Sequence, residues 1–407
     1  MLSVLGNQSY ARLFSAQMIA LLGTGLLTVA LGLLAFDIAG SDAGLVLGLA
    51  LTIKMVAYVA VAPLVNALVS HIPRKPVLIG SDIVRGLIAL CLPLVSEAWQ
   101  IYILIFILQS ASASYTPAFQ AVIPSILTEE RDYTRALSLS RLAYDMESLA
   151  SPMLAAALLT ITSYHNLFMG TVVGFAGSAL LVSSTKFPVI APPQKAKFFH
   201  RLTGGTRAFF AAAELRSLMG LNLVVASTSA MVIVNTVVLV KAELGRSQVD
   251  VALLLGAYGA GSMIVALSMP GLLERIADRT VMLVGGLLMP LLLLAGAGLI
   301  FWGEGSSQWA AILALWMLLG AATATILTPS SRLLRRNSTE QNRPSVFAAQ
   351  FSLSHACFLL TYPLAGALGA AIGLAPVAAV LVIVGLAGTV LAYLSWRSDV
   401  VPVAAEQ

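Results

Sequence analysis

Apolar residues run along this chain in stretches of roughly 20 to 27, each long enough to cross the hydrocarbon core of a bilayer as a helix. They are set apart by short polar interruptions. The pattern predicts about twelve helices: 13–36, 44–69, 76–95, 99–123, 136–161, 166–185, 217–240, 250–273, 279–301, 308–330, 345–371 and 374–396. The expected fold is an all-α integral membrane protein of about twelve transmembrane helices. They form two pseudo-symmetric six-helix bundles.

One interruption is long. Lys186 to Arg216 holds Pro188, Pro192, Pro193, Gly204 and Gly205 among Lys195, Lys197, Arg201 and Arg207. It reads as a linker, with Phe198 and Phe199 lying along the bilayer surface. The predicted organisation is therefore an N-terminal bundle over 1–187, a cytoplasmic linker over 188–216 and a C-terminal bundle over 217–407. The halves echo each other. Pro152 in SPMLAA matches Pro363 in YPLAGA, Thr116–Pro117 matches Thr328–Pro329, and the loop NALVSHIPRK matches PGLLERIADR. Three matches in one order indicate parallel half-repeats, an arrangement that places a transporter's site at the repeat interface near the midplane.

Composition agrees with this pattern. The chain is 59% hydrophobic and 10% charged, against roughly 25% charged in a soluble protein, so most of its surface does not meet water. With the N-terminus inside, every one of the 23 Lys and Arg residues except Lys54, Lys241 and Arg246 falls at or near one face. The positive-inside rule places that face, with both termini, in the cytoplasm of a bacterial-type inner membrane. The charges sit in short loops beside apolar helices, so the basic balance is a topology signal and excludes a nucleic-acid partner. The first apolar segment belongs to the series and reads as a span, not a cleaved signal. Cys91 and Cys357 lie in apolar spans without metal-finger or redox spacing. No phosphate-cradling loop occurs, and no nucleophile-plus-base arrangement occurs. The chain is expected to be no enzyme and to need no cofactor.

The repeat pattern resembles the major facilitator superfamily across essentially the whole chain. That family's hallmark loop follows the second helix and, in the repeat, the eighth. The second copy keeps it as Gly271, Glu274, Arg275, Asp278 and Arg279. The first copy departs from it, with Asn66, Ser70, His71 and Pro73 at the expected glycine, acid, arginine and glycine; Arg74 and Lys75 remain. The resemblance implies that these residues, together with Asp82 and Arg85 at the opening of the third helix, gate the cytoplasmic side, with a weakened lock in the first half. Tyr10, Leu13 and Gln17 ahead of Gly23, Asp82 with Arg85, and YTPAFQAVIP at 115–124 resemble the drug-efflux branch that includes macrolide and siderophore exporters. Phe119 replaces an arginine common there. SRLAYDMESLASP and SLSHACFLLTYPLAG are similar to a subgroup associated with nickel and cobalt resistance, although DVVPVAAEQ is no histidine-rich tail. The family lines its cavity with the first, fourth, seventh and tenth helices. The resemblance therefore nominates Gln17, Thr24, Gln109, Ser112, Thr116, Asn222, Ser229, Thr236 and Thr325 as cavity residues. The alternative for each is an ordinary interhelical hydrogen bond.

Charges inside the spans are the candidates for chemistry. An ammonium at mid-span costs roughly 2.5–3.5 kcal/mol on insertion scales, so Lys54 needs a counter-charge or a cavity. It is roughly 15 Å deep at 1.5 Å per residue, too deep to snorkel comfortably. Arg141 and Asp145 are four apart and can pair on one helical face. Glu147 points to another face of that helix, so the same arginine does not serve it. A carboxylate without a partner in low dielectric is the kind of group that exchanges a proton near neutral pH. The proton-coupling candidates are Glu147, Asp145, Lys54 and Arg141. His355 aligns with Tyr144 in the repeat and either bonds to Ser352 or Ser354 or serves as a metal ligand.

Three readings follow. The first is proton-coupled efflux of small drug- or siderophore-like molecules by alternating access. The second is export of a divalent metal such as nickel or cobalt through His355, Asp145 and Glu147. The third is a membrane sensor that transports nothing. The expected partners are a small-molecule or ion substrate, protons and the lipid bilayer, with the chain acting as a monomer.

Overall fold

The computed structural model describes residues 2–61, 72–127, 129–185, 198–302, 306–339 and 342–396. Within its helices some side chains, including those of Thr116, Arg141 and Asp145, lie outside the described set. The first loop of the hallmark pair, with Asn66, Ser70 and His71, also lies outside it.

The described residues form helices and turns. The first six spanning helices are α1 Gln8–Ala39, α2 Ala43–Val56, α3 Arg74–Cys91, α4 Ala98–Ile126, α5 Glu130–Leu159 and α6 His165–Ser184. The linker holds α7, Phe198–Ala211. The second six are α8 Ala213–Val238, α9 Gln248–Leu273, α10 Asp278–Trp302, α11 Ser306–Arg336, α12 Arg343–Ile372 and α13 Leu374–Ser395. Among the described residues, nine helical stretches are long and apolar enough to cross a bilayer, Gln8–Ala60 holding both α1 and α2. With α4 and α5 the fold has twelve spans.

Local chemistry sets several boundaries. The Asn7 side chain accepts from the N–H groups of Ser9 and Tyr10 at 3.1 Å each and caps α1. Ser247 and Asp250 cap the start of α9 reciprocally, at 3.2 and 3.1 Å. Helix α8 begins at Ala213, four residues before the apolar run that starts at 217. Arg216 reaches back to donate to the carbonyls of Phe210 (2.8 Å) and Ala211 (3.1 Å), closing the end of α7 against the start of α8.

The halves pack alike. In the first, α1 lies against α6 and α5, and α3 against α4 and α6; in the second, α8 lies against α13 and α12, and α10 against α11 and α13. Between the halves, α2 packs on α12 and α5 on α9, as a pseudo-two-fold requires. Tyr10 donates to the Ala136 carbonyl (3.1 Å) and Ser140 to Gln17 (3.0 Å) along the α1–α5 seam. Asn222 and Gln350 exchange two bonds of 3.1 Å along the matching α8–α12 seam.

The apolar core divides unevenly. One cluster draws on both bundles, from Leu26–Ala35 of α1 and Ala43–Met55 of α2 to Ala230–Val240 of the second half and Leu374–Val382 of α13. It fills the half of the molecule remote from the N-terminus and the linker. At the other end there are two separate clusters, one built only from the first bundle (Val4 to Val182) and one only from α7 and the second bundle (Phe209 to Trp396). The bundles are therefore joined at one end and apart at the other, like a clamp open towards the end that carries the N-terminus and the linker.

Joining them demands close backbone approach. A Cβ on Gly48 of α2 would stand 2.7 Å from the Tyr362 carbonyl oxygen and 3.1 Å from the Gly366 Cα, both on α12. Only glycine permits that separation. Outward-facing Leu87, Leu94, Val173, Leu180, Leu267 and Ile383 remain exposed, an apolar belt suited to lipid.

Candidate functional site

The α1–α5 seam seats Glu147. A Cβ on Gly25 would collide with the Ser151 side chain and reach 3.0 Å from Glu147 Oε1. The missing side chain at Gly25 is what lets α5 bring its carboxylate against α1. Beside α1, Lys54 lines a cavity of about 20 Å³ with Thr24, Thr28, Gln109 and Ile233, large enough for one water molecule. Lys54 and Glu147 thus both approach α1 at Thr24–Thr28. Among the described residues no carboxylate lies within ion-pair distance of Lys54. The Arg141–Asp145 pairing lies outside the described side chains.

One turn past Lys54, α2 widens into a π-helical turn, Ala57–Val61, a feature frequent at functional sites. It carries Tyr58, whose ring lies 5.8 Å from Lys54 Nζ. Tyr58 also meets the second bundle, 6.1 Å from the ring of Phe351 and 5.5 Å, edge-on, from that of His355. His355 Nδ1 lies 2.7 Å from the Phe351 carbonyl and 3.4 Å from Ser354 Oγ. A carbonyl only accepts, so Nδ1 carries the hydrogen, and the neutral ring keeps Nε2 as an acceptor. The expected serine contact is thus present but secondary to the backbone bond. Among the described residues, no three His, Cys, Asp or Glu side chains converge as a metal site.

The repeat shows what is special here. Lys54 aligns with Tyr258 of α9 at the 204-residue offset of the hallmark loops. Tyr258 keeps its hydroxyl near Ser229 (3.2 Å) and Thr323 (2.9 Å), a neutral and satisfied network. Glu147 aligns with Phe358. The second half fills both places with uncharged residues, so packing does not require the charges.

Several predicted cavity residues serve the packing. Gln17, Asn222, Ser229 and Thr236 are buried. Gln17 and Asn222 hold the two seams, and Thr236 accepts from Trp316 Nε1 at 3.0 Å. Thr325 donates to the Ala322 carbonyl (2.6 Å) and packs against Gly285 of α10, within its own bundle. Ser112 donates to the Leu108 carbonyl at 3.0 Å. Gln17, Asn222, Ser229, Thr236 and Thr325 each meet a neighbouring helix, whereas the bond of Ser112 stays within its own helix. Thr24 and Gln109 line the small cavity beside Lys54.

The predicted gating residues divide. Asp82 and Arg85 stand inside α3, not in a loop, and form a buried ion pair. Arg85 is stacked between Tyr115 (4.3 Å) and Phe175 (4.4 Å), and Asp82 accepts from Ser178 at 2.7 Å. Lys75 donates to the carbonyls of Ser183 (2.5 Å) and Thr185 (2.9 Å) at the end of α6, where a cation complements the helix dipole. Asp278 is buried against Arg336 (3.1 Å) and Arg332 (3.7 Å), and Arg336 also binds Glu214 at 2.6 Å. These contacts tie α8, α10 and α11 together. Gly271, Glu274 and Arg275 are exposed, and Arg74 and Arg279 half-buried.

Sequence reasoning passed over Gly25, Tyr58 and Phe351. Tyr58 follows Lys54 by four residues and Phe351 precedes His355 by four, so helical periodicity alone put each pair on one face.

Two pseudo-symmetric six-helix bundles of parallel half-repeats, joined at one end, define a multi-pass helical membrane protein with charges held within its spans. A family model described as Major Facilitator Superfamily matches residues 13–219 and again 218–406. The chain belongs to the Major Facilitator Superfamily. It is 24% identical over 181 residues to macrolide efflux protein A of Streptococcus pyogenes, covering 43% of this chain and 44% of that protein. A macrolide efflux protein A of Enterococcus faecalis is 26% identical over 136 residues, covering 32% and 42%. The chain thus spans less than half the length of either relative. A bacterial homologue of the human lysosomal transporter Spinster, solved inward-facing and unoccupied, superposes with a TM-score of 0.74 at 13% identity, over 95% of this chain and 96% of that one. That likeness concerns the fold.

Proposed function

We propose that this chain is a proton-driven exporter of small organic molecules working by alternating access. In this reading the cleft opens to the cytoplasm, and both termini and the linker lie on that side. The observation that carries it is the placement of Lys54 and Glu147 against the same turn of α1, Thr24–Thr28, where the joined half of the molecule ends. A carboxylate there is reached from the cleft in this shape and from the opposite side once the joined end parts. Protonation neutralises it for the passage, and release to the cytoplasm restores the charge next to Lys54. Divalent-metal export has less support, because Lys54 stands beside Tyr58, whose ring meets His355, and its ammonium opposes a second cation there.

The test is transport into inverted membrane vesicles energised by an acid lumen, with erythromycin, norfloxacin and nickel as probes. Glu147→Gln is expected to insert at the wild-type level and to lose gradient-driven accumulation. A variant with the wild-type rate and pH dependence would show that Glu147 is not the proton carrier. Orientation is tested in a C91S/C357S background with an impermeant maleimide on intact cells. Ser96→Cys should label and Thr339→Cys should not; the reverse pattern would overturn the topology.

A further inference from the structure

We infer that Tyr58 and Phe351 form a two-sided clamp for a planar aromatic ring of the transported molecule, a substrate class narrower than the efflux reading on which this rests. The two rings come from opposite bundles, α2 and α12. They meet where the shared core stops: Met55 and Tyr362 belong to that core, while Tyr58 only packs against its edge. Phe351 is 46% exposed although it sits within a spanning helix, and its repeat counterpart, Ser140, is a small buried residue bonded to Gln17. The repeat thus carries no aromatic ring at the position that matches Phe351.

The geometry suits a ring ligand. The Tyr58 and Phe351 centroids are 6.1 Å apart with planes tilted by 52°, a loose contact across the clamp's hinge region. Aromatic pairs prefer offset or edge-on arrangements at 4.5–7 Å, so a modest parting of the bundles admits a flat ring between two π faces. His355 borders this contact, its ring 4.1 Å from Phe351 and edge-on to Tyr58. Because Nδ1 is held by its own helix, Nε2 turns away from that helix as an acceptor for an N–H or O–H on the ligand ring. Lys54, 5.8 Å from the Tyr58 ring, adds a cation for an anionic substituent. The ligand class is therefore a planar aromatic compound with a hydrogen-bond donor or acid group on the ring. An aliphatic macrolactone lacks the flat face that the clamp would grip.

The experiment is a fluorescence-anisotropy titration of norfloxacin, a planar ring acid, on purified full-length protein. Tyr58→Leu and Phe351→Leu are expected to raise its Kd by roughly 3- to 10-fold, in line with one lost aromatic contact. Tyr58→Phe and Phe351→Tyr are expected to stay within about twofold of wild type. They separate a lost clamp from a misfolded chain. Absence of norfloxacin binding by wild type, or an unchanged Kd in both leucine variants, overturns the clamp while leaving erythromycin export to stand. Norfloxacin binding with the expected losses, but no gradient-driven transport of any probe, supports the clamp and overturns proton-driven efflux.

Discussion

The contact at Gly48 makes the closed end of the clamp a quantitative target. A methyl group on Gly48 would lie 2.7 Å from the Tyr362 carbonyl oxygen, about 0.7 Å inside ordinary van der Waals contact. The obstacle is backbone, so no rotamer change relieves it. From the other side, a Cβ on Gly366 would lie 2.5 Å from the Gly44 carbonyl oxygen. Gly48→Val must therefore push α2 and α12 apart, and these helices belong to different bundles. Overpacking of this kind costs about 1–3 kcal/mol. Charged to the joined shape alone, that shifts the equilibrium towards the shape open at the opposite end by roughly 5- to 150-fold. The reporter is Val237→Cys in a C91S/C357S background. Val237 is buried in the shared core, and its Cβ would lie 3.9 Å from one added to Gly32 of the other bundle. Its rate of reaction with a maleimide should rise by that factor in Gly48→Val. Gly80→Val is the control, since a Cβ there meets nothing within 4 Å. Equal Val237→Cys rates in folded Gly48→Val and wild-type protein would refute the claim that this glycine contact sets the closure.

Two further variants probe the packing beneath the site. Gly25→Ala should destabilise the protein by about 1–3 kcal/mol, because its methyl overlaps the Ser151 side chain, and Gly25→Ala/Ser151→Gly should recover most of the melting temperature; no recovery would mean that the seam is not where the strain lies. Asp82→Asn leaves Arg85 buried without its counter-charge and should cost about 3–5 kcal/mol, read as a fall in melting temperature in detergent; a change under 1 kcal/mol would show that Tyr115 and Phe175 alone hold the guanidinium.

Much of the architecture was legible in the chain because hydrophobic length and the distribution of basic residues report directly on membrane spans. The repeat matches at Pro152 and Pro363 anticipated the pairing of α5 with α12 about the pseudo-two-fold. Lys54 and Glu147 stood out because a charge within an apolar run is costly wherever it points. The polar residues were harder. Gln17, Asn222 and Thr236 look alike as sequence whether they face a cleft or a neighbouring helix, since rotation about each axis is set by contacts distant in the chain. Gly25 gave no signal either: its role exists only because Glu147, more than a hundred residues away, needs its space. The π-helical turn at Tyr58 depends on backbone geometry that propensity does not encode.

The unequal division of the core has a thermal consequence. Parting the joined end would bring the Leu26–Ala35 and Ala230–Val240 surfaces, now packed together, into contact with water. Association of such surfaces is strengthened by warming and weakened by cooling near room temperature. The balance between the two shapes should then carry a large heat-capacity difference, with the waterward-opened form holding the greater heat capacity. Chilling favours that form, so the step that re-closes it becomes the slow part of the cycle in the cold, whatever molecule is being carried.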